Sequence, residues 1–221
     1  SDLFSKNGVY KTFSRTLCNF AFPDEIERPF PTKRISFMES ELDVDDEFMN
    51  DVKEYENEMV TKLTAKKKYE RRVIDALFKL NEKRSEFLNK DRLKDYSPKF
   101  DRILNHIANT NGNVLVYSQF KTLEGLGILG LCLKTRGYAE MKISLDKNNT
   151  IQIDVNEEDY KKPKYAVFST DREVANVILN IFNSDMSSLG QETVDKLKQM
   201  YDFEDVQPNN LHGELIKILM I

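Results

Sequence analysis

The sequence contains no tryptophan, and only two cysteines and two histidines among its 221 residues. Cys18 and Cys132 stand far apart in apolar settings. That excludes a disulfide framework or a C-x-x-C redox pair and points to two core thiols. With His106 and His212 isolated, no group of Cys, His and acidic residues has metal-ligand spacing, so no metal site is expected. No apolar run approaches the roughly 20 residues that span a bilayer, and no charged stretch leading into an apolar one opens the chain. The expectation is a soluble, intracellular protein without a membrane partner. Missing too are a G-x-x-x-x-G-K-[ST] phosphate loop, a G-x-S-x-G elbow and an H-E-x-x-H helix. Acidic residues are plentiful, but none pairs into an acid and base without a cleft to hold it.

Hydrophobic residues make up 40% and charged residues 32% of the chain, a composition that supports one sizeable core or a modest α/β domain with appendages. A net charge of −4 argues against gripping nucleic acid by bulk charge. The charge is unevenly spread, however. Glu39 to Glu58 holds ten acidic residues and a single base, Lys53, whereas Lys62 to Lys99 holds thirteen Lys and Arg against six acids. Two solvated helix faces account for this, and so does a basic helical surface beside a nucleic-acid path.

Residues 1–46 carry prolines outside any periodic segment and read as an extended connector. Phe48, Val52, Tyr55, Met59 and Leu63, then Tyr69, Val73, Leu77, Leu80 and Phe87, fall at helical spacing, so residues 47–95 read as a charged amphipathic helical segment. From 96 the texture changes. A helix ending near Ala108 leads through Asn111-Gly112-Asn113 into Val114–Tyr117, an apolar run expected as a buried strand. Leu123–Leu133 reads as a helix closed by Gly137 in a left-handed cap. Ala139–Leu145 and Thr150–Val155 read as a hairpin across Asp146–Asn149, and Tyr165–Phe168 as a strand. Thr170 and Glu173 form a capping box before a helix, Gln191–Tyr201 is a further helix, and Ile216–Ile221 is a final buried strand. This order predicts an α/β fold, a mainly parallel sheet with helices on both faces.

Gly125-Leu-Gly127-Ile-Leu-Gly130 is a formal G-x-G-x-x-G. A dinucleotide site needs its first glycine at the strand-to-helix turn, whereas Leu123, Leu126, Leu129 and Leu133 already run at helical spacing here. The glycines are expected inside the helix, packing it closely on the sheet. The polar residues after two of the strands carry more promise: Ser118, Gln119, Lys121 and Thr122 after one, Ser169, Thr170 and Arg172 after the other. Hydroxyls, amides and a nearby cation at the C-terminal edge of an open α/β sheet suit phosphate oxygens. Simple helix capping by Ser118, Thr122 and Thr170 fits the same spacing.

Ser97-Pro98-Lys99-Phe100, Val114-Leu-Val-Tyr-Ser-Gln-Phe120, Arg136-Gly137-Tyr138, Arg172 with Ile181-Phe-Asn183, and Ile218-Leu-Met-Ile221 together resemble the second motor lobe of Swi/Snf-type superfamily 2 helicases. The resemblance is to those of nucleocytoplasmic large DNA viruses, with echoes in Tyr10–Arg15 and Cys18–Pro23. It implies a partial C-terminal RecA-like lobe over residues 96–221 of a nucleic-acid-dependent ATPase, a helicase or translocase. Nucleic-acid backbone contacts would come from Ser118, Gln119, Lys121 and Thr122, with Ser169, Thr170 and Arg172 as a second group. ATP and Mg would serve the intact protein, and no catalytic residue lies in this stretch. The partners implied are DNA or RNA of any sequence and the N-terminal RecA-like lobe of the same protein, in the host cytoplasm or the virion. Two readings compete: a non-catalytic viral transcription or packaging module, and a dinucleotide-binding Rossmann domain.

Overall fold

The computed structural model describes residues 15–30, 56–201 and 208–221, the side chains of 56–66 and 201 excepted. The expected helical residues Phe48, Val52 and Tyr55 and the acidic run before Glu56 lie outside these residues. The chain divides into two compact units, one formed by the described residues up to Asp101 with Gln119–Leu131, the other by Arg102–Ser118 with the described residues from Cys132 onward.

In the first unit, helix α1 runs unbroken over Glu56–Glu82, through the Lys66-Lys67-Lys68 triplet. Tyr69, Val73, Ala76 and Leu80 repeat at spacings of four and three and form its buried stripe, while Lys67, Lys68, Arg71, Arg72 and Lys79 stay exposed. Short helices α2 (Arg84–Phe87) and α3 (Leu93–Tyr96) follow, then the first turn of α4 (Pro98–Ala108), whose residues from Arg102 belong to the second unit. Ser97 caps α4 by accepting the amide of Phe100 at 3.0 Å, and Pro98 sits at the first helical position, where its missing N–H costs nothing. The aromatic core centres on Phe20, edge-on to Phe22 at 5.3 Å and stacked on Phe100 at 6.4 Å. Cys18, expected in a core, is exposed: the apolar spacing that suggested burial belongs to its neighbours Phe20 and Phe22.

The second unit is built on a parallel sheet of order β1-β6-β5-β2, flanked by helices. Its strands are β1 (Val114–Val116), β2 (Ala139–Glu140), β5 (Lys164–Val167) and β6 (Ile218–Met220). Strands β3 (Lys142–Leu145) and β4 (Ile151–Asp154) form a separate antiparallel pair. Its turn is held by Asp146 Oδ1, which accepts the amides of Asn148 and Thr150 at 2.8 and 2.9 Å. Helix α5 (Ile128–Thr135) ends as predicted, with Gly137 at φ +88° and the Tyr138 amide reaching the Leu133 carbonyl at 3.0 Å. Helices α6 (Arg172–Phe182) and α7 (Gln191–Tyr201) bury Ile178, Ile181, Leu197 and Met200 against Ala166 and Leu219. Burying each large side chain there contributes about 1.5–3 kcal/mol.

Three expectations fail within this frame. Ala139 and Glu140, expected in the hairpin, pair parallel with β5 instead, so the hairpin arm is only Lys142–Leu145. The run Val114–Tyr117 is not buried: β1 is an edge strand among the described residues, and Leu115 and Tyr117, on one face of it, are 59% and 76% exposed. An apolar run reports strand formation but not which neighbours arrive. Gly125 and Gly127 are not inside a helix either. They lie in a wide turn, Leu123–Gly127, in which Glu124 and Gly125 leave helical φ/ψ and the helix begins only at Ile128. No described helix is long and apolar enough to cross a membrane.

Candidate nucleic-acid interface

In the second unit the register aligns Val116 with Met220 and Val167 with Met220, all parallel. The C-terminal ends of β1, β6 and β5 therefore share one edge. Ser118, half-buried, follows β1 there, and Ser169, Thr170 and Arg172 follow β5, the last two exposed. The capping expected of Thr170 falls one residue later. Asp171 is the N-cap of α6, its Oδ1 accepting the Val174 amide at 3.0 Å, while Ser169 Oγ accepts the Asp171 amide at 3.1 Å. Asp is the stronger cap and its β-region φ/ψ suits that position, so Thr170 is left outside the helix. The same carboxylate fills the helix N-terminus with negative charge. A phosphate approaching Arg172 meets it as a repulsive neighbour.

The other predicted residues belong to the first unit. Gln119, Lys121 and Thr122 are exposed on a turn whose following residues, Leu123 to Leu126, are all buried. Thr122 makes no side-chain cap. The turn is closed by two long-reaching bonds, the amides of Leu126 and Gly127 donating to the carbonyls of Phe120 and Lys121 at 3.0 and 2.9 Å. These require glycine at two places. A Cβ on Gly125 would stand 1.7 Å from the Phe120 carbonyl oxygen, and one on Gly127 2.2 Å from that of Thr122. With both amides committed and Glu124 only 2% exposed behind them, the segment offers no cradle for a pyrophosphate. The formal G-x-G-x-x-G is a packing device.

Several long-range contacts of this neighbourhood escaped sequence reasoning. Arg15, 104 positions away, donates to Gln119 Oε1 at 2.6 Å and lies 5.7 Å from the centre of the Phe120 ring, adding an exposed cation at the two residues that precede Lys121. Arg28 and Glu124 form a buried ion pair, 7% and 2% exposed. Asn19 Nδ2 donates to the Glu124 carbonyl at 2.9 Å, while Lys99 Nζ donates to Asn19 Oδ1 at 2.7 Å. Removing either partner of such a pair costs about 3–5 kcal/mol. Little in the sequence signals it: Glu124 is a lone acid among apolar residues and glycines, but Arg28 stands beside Glu27 in a charged stretch. Leu123 packs on Tyr69 and Val73 of α1 and anchors the turn from beneath.

No Cys, His, Asp and Glu grouping fit for a metal ion occurs among the described residues. Fold and site together define an α/β protein whose parallel sheet, flanked by helices, is consistent with a RecA-like fold and presents polar residues at its C-terminal edge. Over 128 residues the chain is 30% identical to the termination factor NPH-I homologs of three African swine fever virus isolates, Tick/Malawi/Lil 20-1/1983, Warthog/Namibia/Wart80/1980 and Tick/South Africa/Pretoriuskop Pr4/1996. The matched stretch is 57% of this chain and 18% of each relative, so the chain spans only a fraction of the length of those proteins. No family model and no solved structure matches it.

Proposed function

We propose that the chain is part of an ATP-dependent nucleic-acid motor: the C-terminal RecA-like lobe of a superfamily 2, Swi/Snf-related viral helicase or translocase, over residues 96–221. The helical segment 47–95 and the connector 1–46 precede it. The observation that carries this reading is the parallel β1-β6-β5 register, which gathers Ser118, Ser169 and the residues beside them at one sheet edge, where α/β sheets bind ligands. The similarity to viral proteins named as termination factors supports it and makes a viral nucleic-acid process the natural setting.

On this reading Ser118, Ser169, Thr170 and Arg172 on one unit, and Gln119, Lys121 and Thr122 with Arg15 on the other, contact backbone phosphates without reading bases. Asp171 weakens the first group, so Lys121 and Arg15 carry more of the binding than Arg172. The described residues do not fit ATP or Mg. The Leu126 and Gly127 amides of the turn are committed, the α6 N-terminus is filled, and the G-x-x-x-x-G-K-[ST] loop is missing. Nucleotide and metal are therefore assigned to the intact protein and to the lobe that faces this one, in the host cytoplasm or virion.

Binding of the chain to labelled oligo-dT and oligo-rU, titrated with salt, tests the proposal. Weak, sequence-independent binding is expected, with Lys121→Ala lowering the salt slope by about 1 and Arg172→Ala lowering it by less. Binding that both variants leave unchanged, or that prefers one base sequence, would overturn it.

A further inference from the structure

An ion pair taken out of water gains little net stability over apolar residues of the same shape, so a buried one needs a reason beyond filling space. Arg28 and Glu124 are such a pair, joining residues 96 apart, and nearly every polar atom around them is used. The Arg28 guanidinium also reaches the Pro29 carbonyl at 3.3 Å and Thr16 Oγ1 at 3.4 Å, and lies 4.8 Å from the centre of the Phe30 ring. Glu124 is fixed at both ends, its carboxylate by Arg28 and its carbonyl by Asn19 at 2.9 Å.

The segment being held needs holding. Glu124 and Gly125 leave helical geometry, and two amide bonds reaching six residues back are the closure of the turn itself. Two glycines there enlarge the conformational freedom the turn must lose on ordering. Immediately before the buried stretch stand the exposed Lys121 and Thr122. Whatever fixes Glu124 fixes the direction in which those two side chains leave the surface.

We infer that Arg28, through Glu124, is a positioning residue for phosphate binding at Lys121 and Thr122. The inference rests on the reading of that turn as a nucleic-acid contact. Arg28 touches no phosphate itself. It pre-pays the ordering of the turn, so that binding does not have to.

The test uses the whole 221-residue chain with Arg28→Gln, the milder Arg28→Lys, Lys121→Ala and the Arg28→Gln/Lys121→Ala double variant. Two quantities are read: amide hydrogen exchange, and affinity for a labelled oligo-dT strand at low salt. Arg28→Gln should speed exchange at Leu126 and Gly127 while the amides of β5 and β6 keep their protection. It should weaken binding about tenfold, the scale of one charge-assisted hydrogen bond. Lys121→Ala should then cost nothing further, and Arg28→Lys should restore part of both signals; if Arg28→Gln does not fold, Arg28→Lys carries the comparison with partial effects. Additive losses, or a uniform rise in exchange, would reduce Arg28 to ordinary packing and overturn the inference while leaving the contact at Lys121 intact. If Lys121→Ala alone leaves binding unchanged, the contact itself falls, and the role of Arg28 falls with it, even where the exchange result stands.

Discussion

The amide of Ser118 donates to the carbonyl of Ile221 at 2.8 Å, and two residues earlier the carbonyl of Val116 accepts the Ile221 amide at 2.9 Å. Phe168 does the same from the other side, its amide reaching the Met220 carbonyl at 2.8 Å. β6 is thus clamped between β1 and β5 up to its C-terminal end, and the polar residues following the outer two strands are brought level by backbone bonds alone.

Capping at this edge separates Thr170 from Asp171. Because Asp171 takes the Val174 amide, Asp171→Ala should lower stability by about 1 kcal/mol. Thr170→Ala should stay within about 0.5 kcal/mol. Urea unfolding of the two variants checks this. Equal costs would mean that Thr170 shares the cap.

Asn210 governs the approach to β6. Fully buried, it donates to the carbonyls of Phe182 and Ile216 at 3.0 Å each and accepts the amides of Leu215 and Ile216 at 2.8 Å each. Asn210→Ala strands several of these groups and should cost about 2–4 kcal/mol, since each buried unpaired group costs about 1–3. The neighbouring Asn209→Ala should change the urea midpoint little. A small effect at Asn210 would mean that water replaces the amide without penalty.

Stability should respond to pH at Lys164. Its Nζ donates to the Tyr160 and Lys162 carbonyls at 2.6 and 2.9 Å, and burial pushes it down to about 8 from 10.5. Between those values the unfolded chain binds more protons than the folded one, so unfolding free energy rises with pH across that window. Tyr165 opposes this at the upper end: burial, reinforced by Glu140, pushes its phenol above 10.0, so the folded state keeps a proton the unfolded state loses. Chemical denaturation from neutral pH upward should show a rise that flattens near the ordinary tyrosine range. Lys164→Met should abolish the rise, and an unaltered profile in that variant would refute the assignment.

The two thiols should behave oppositely. Cys132 is fully buried and pushed up to about 12 by that burial, whereas Cys18 is exposed. A thiol reagent should find a single fast-reacting cysteine in the native chain and a second only on unfolding, and Cys18→Ser should remove the fast phase. Two fast thiols would contradict the burial of Cys132.

Much of the architecture was legible in residue order, because its signals are local. Apolar runs at Tyr165–Phe168 and Ile216–Ile221, Gly137 after α5 and the Asp146 turn act within a few residues of themselves, and the strand–helix alternation then leaves a parallel sheet as the topology that buries them. Lys121 and Thr122 could be selected for the same reason, as polar residues after a strand. What sequence could not supply is pairing across distance. Leu115 and Tyr117, two residues apart and so on one face of β1, are left exposed there, and which face of a strand is covered is decided by what packs over it. Gly125 and Gly127 are required only because backbone carbonyls crowd them, and Glu124 is neutralised by an arginine 96 residues earlier. Those outcomes depend on which segments meet once the chain has collapsed, and periodicity, which measures only a residue's near neighbours, carries no record of that encounter.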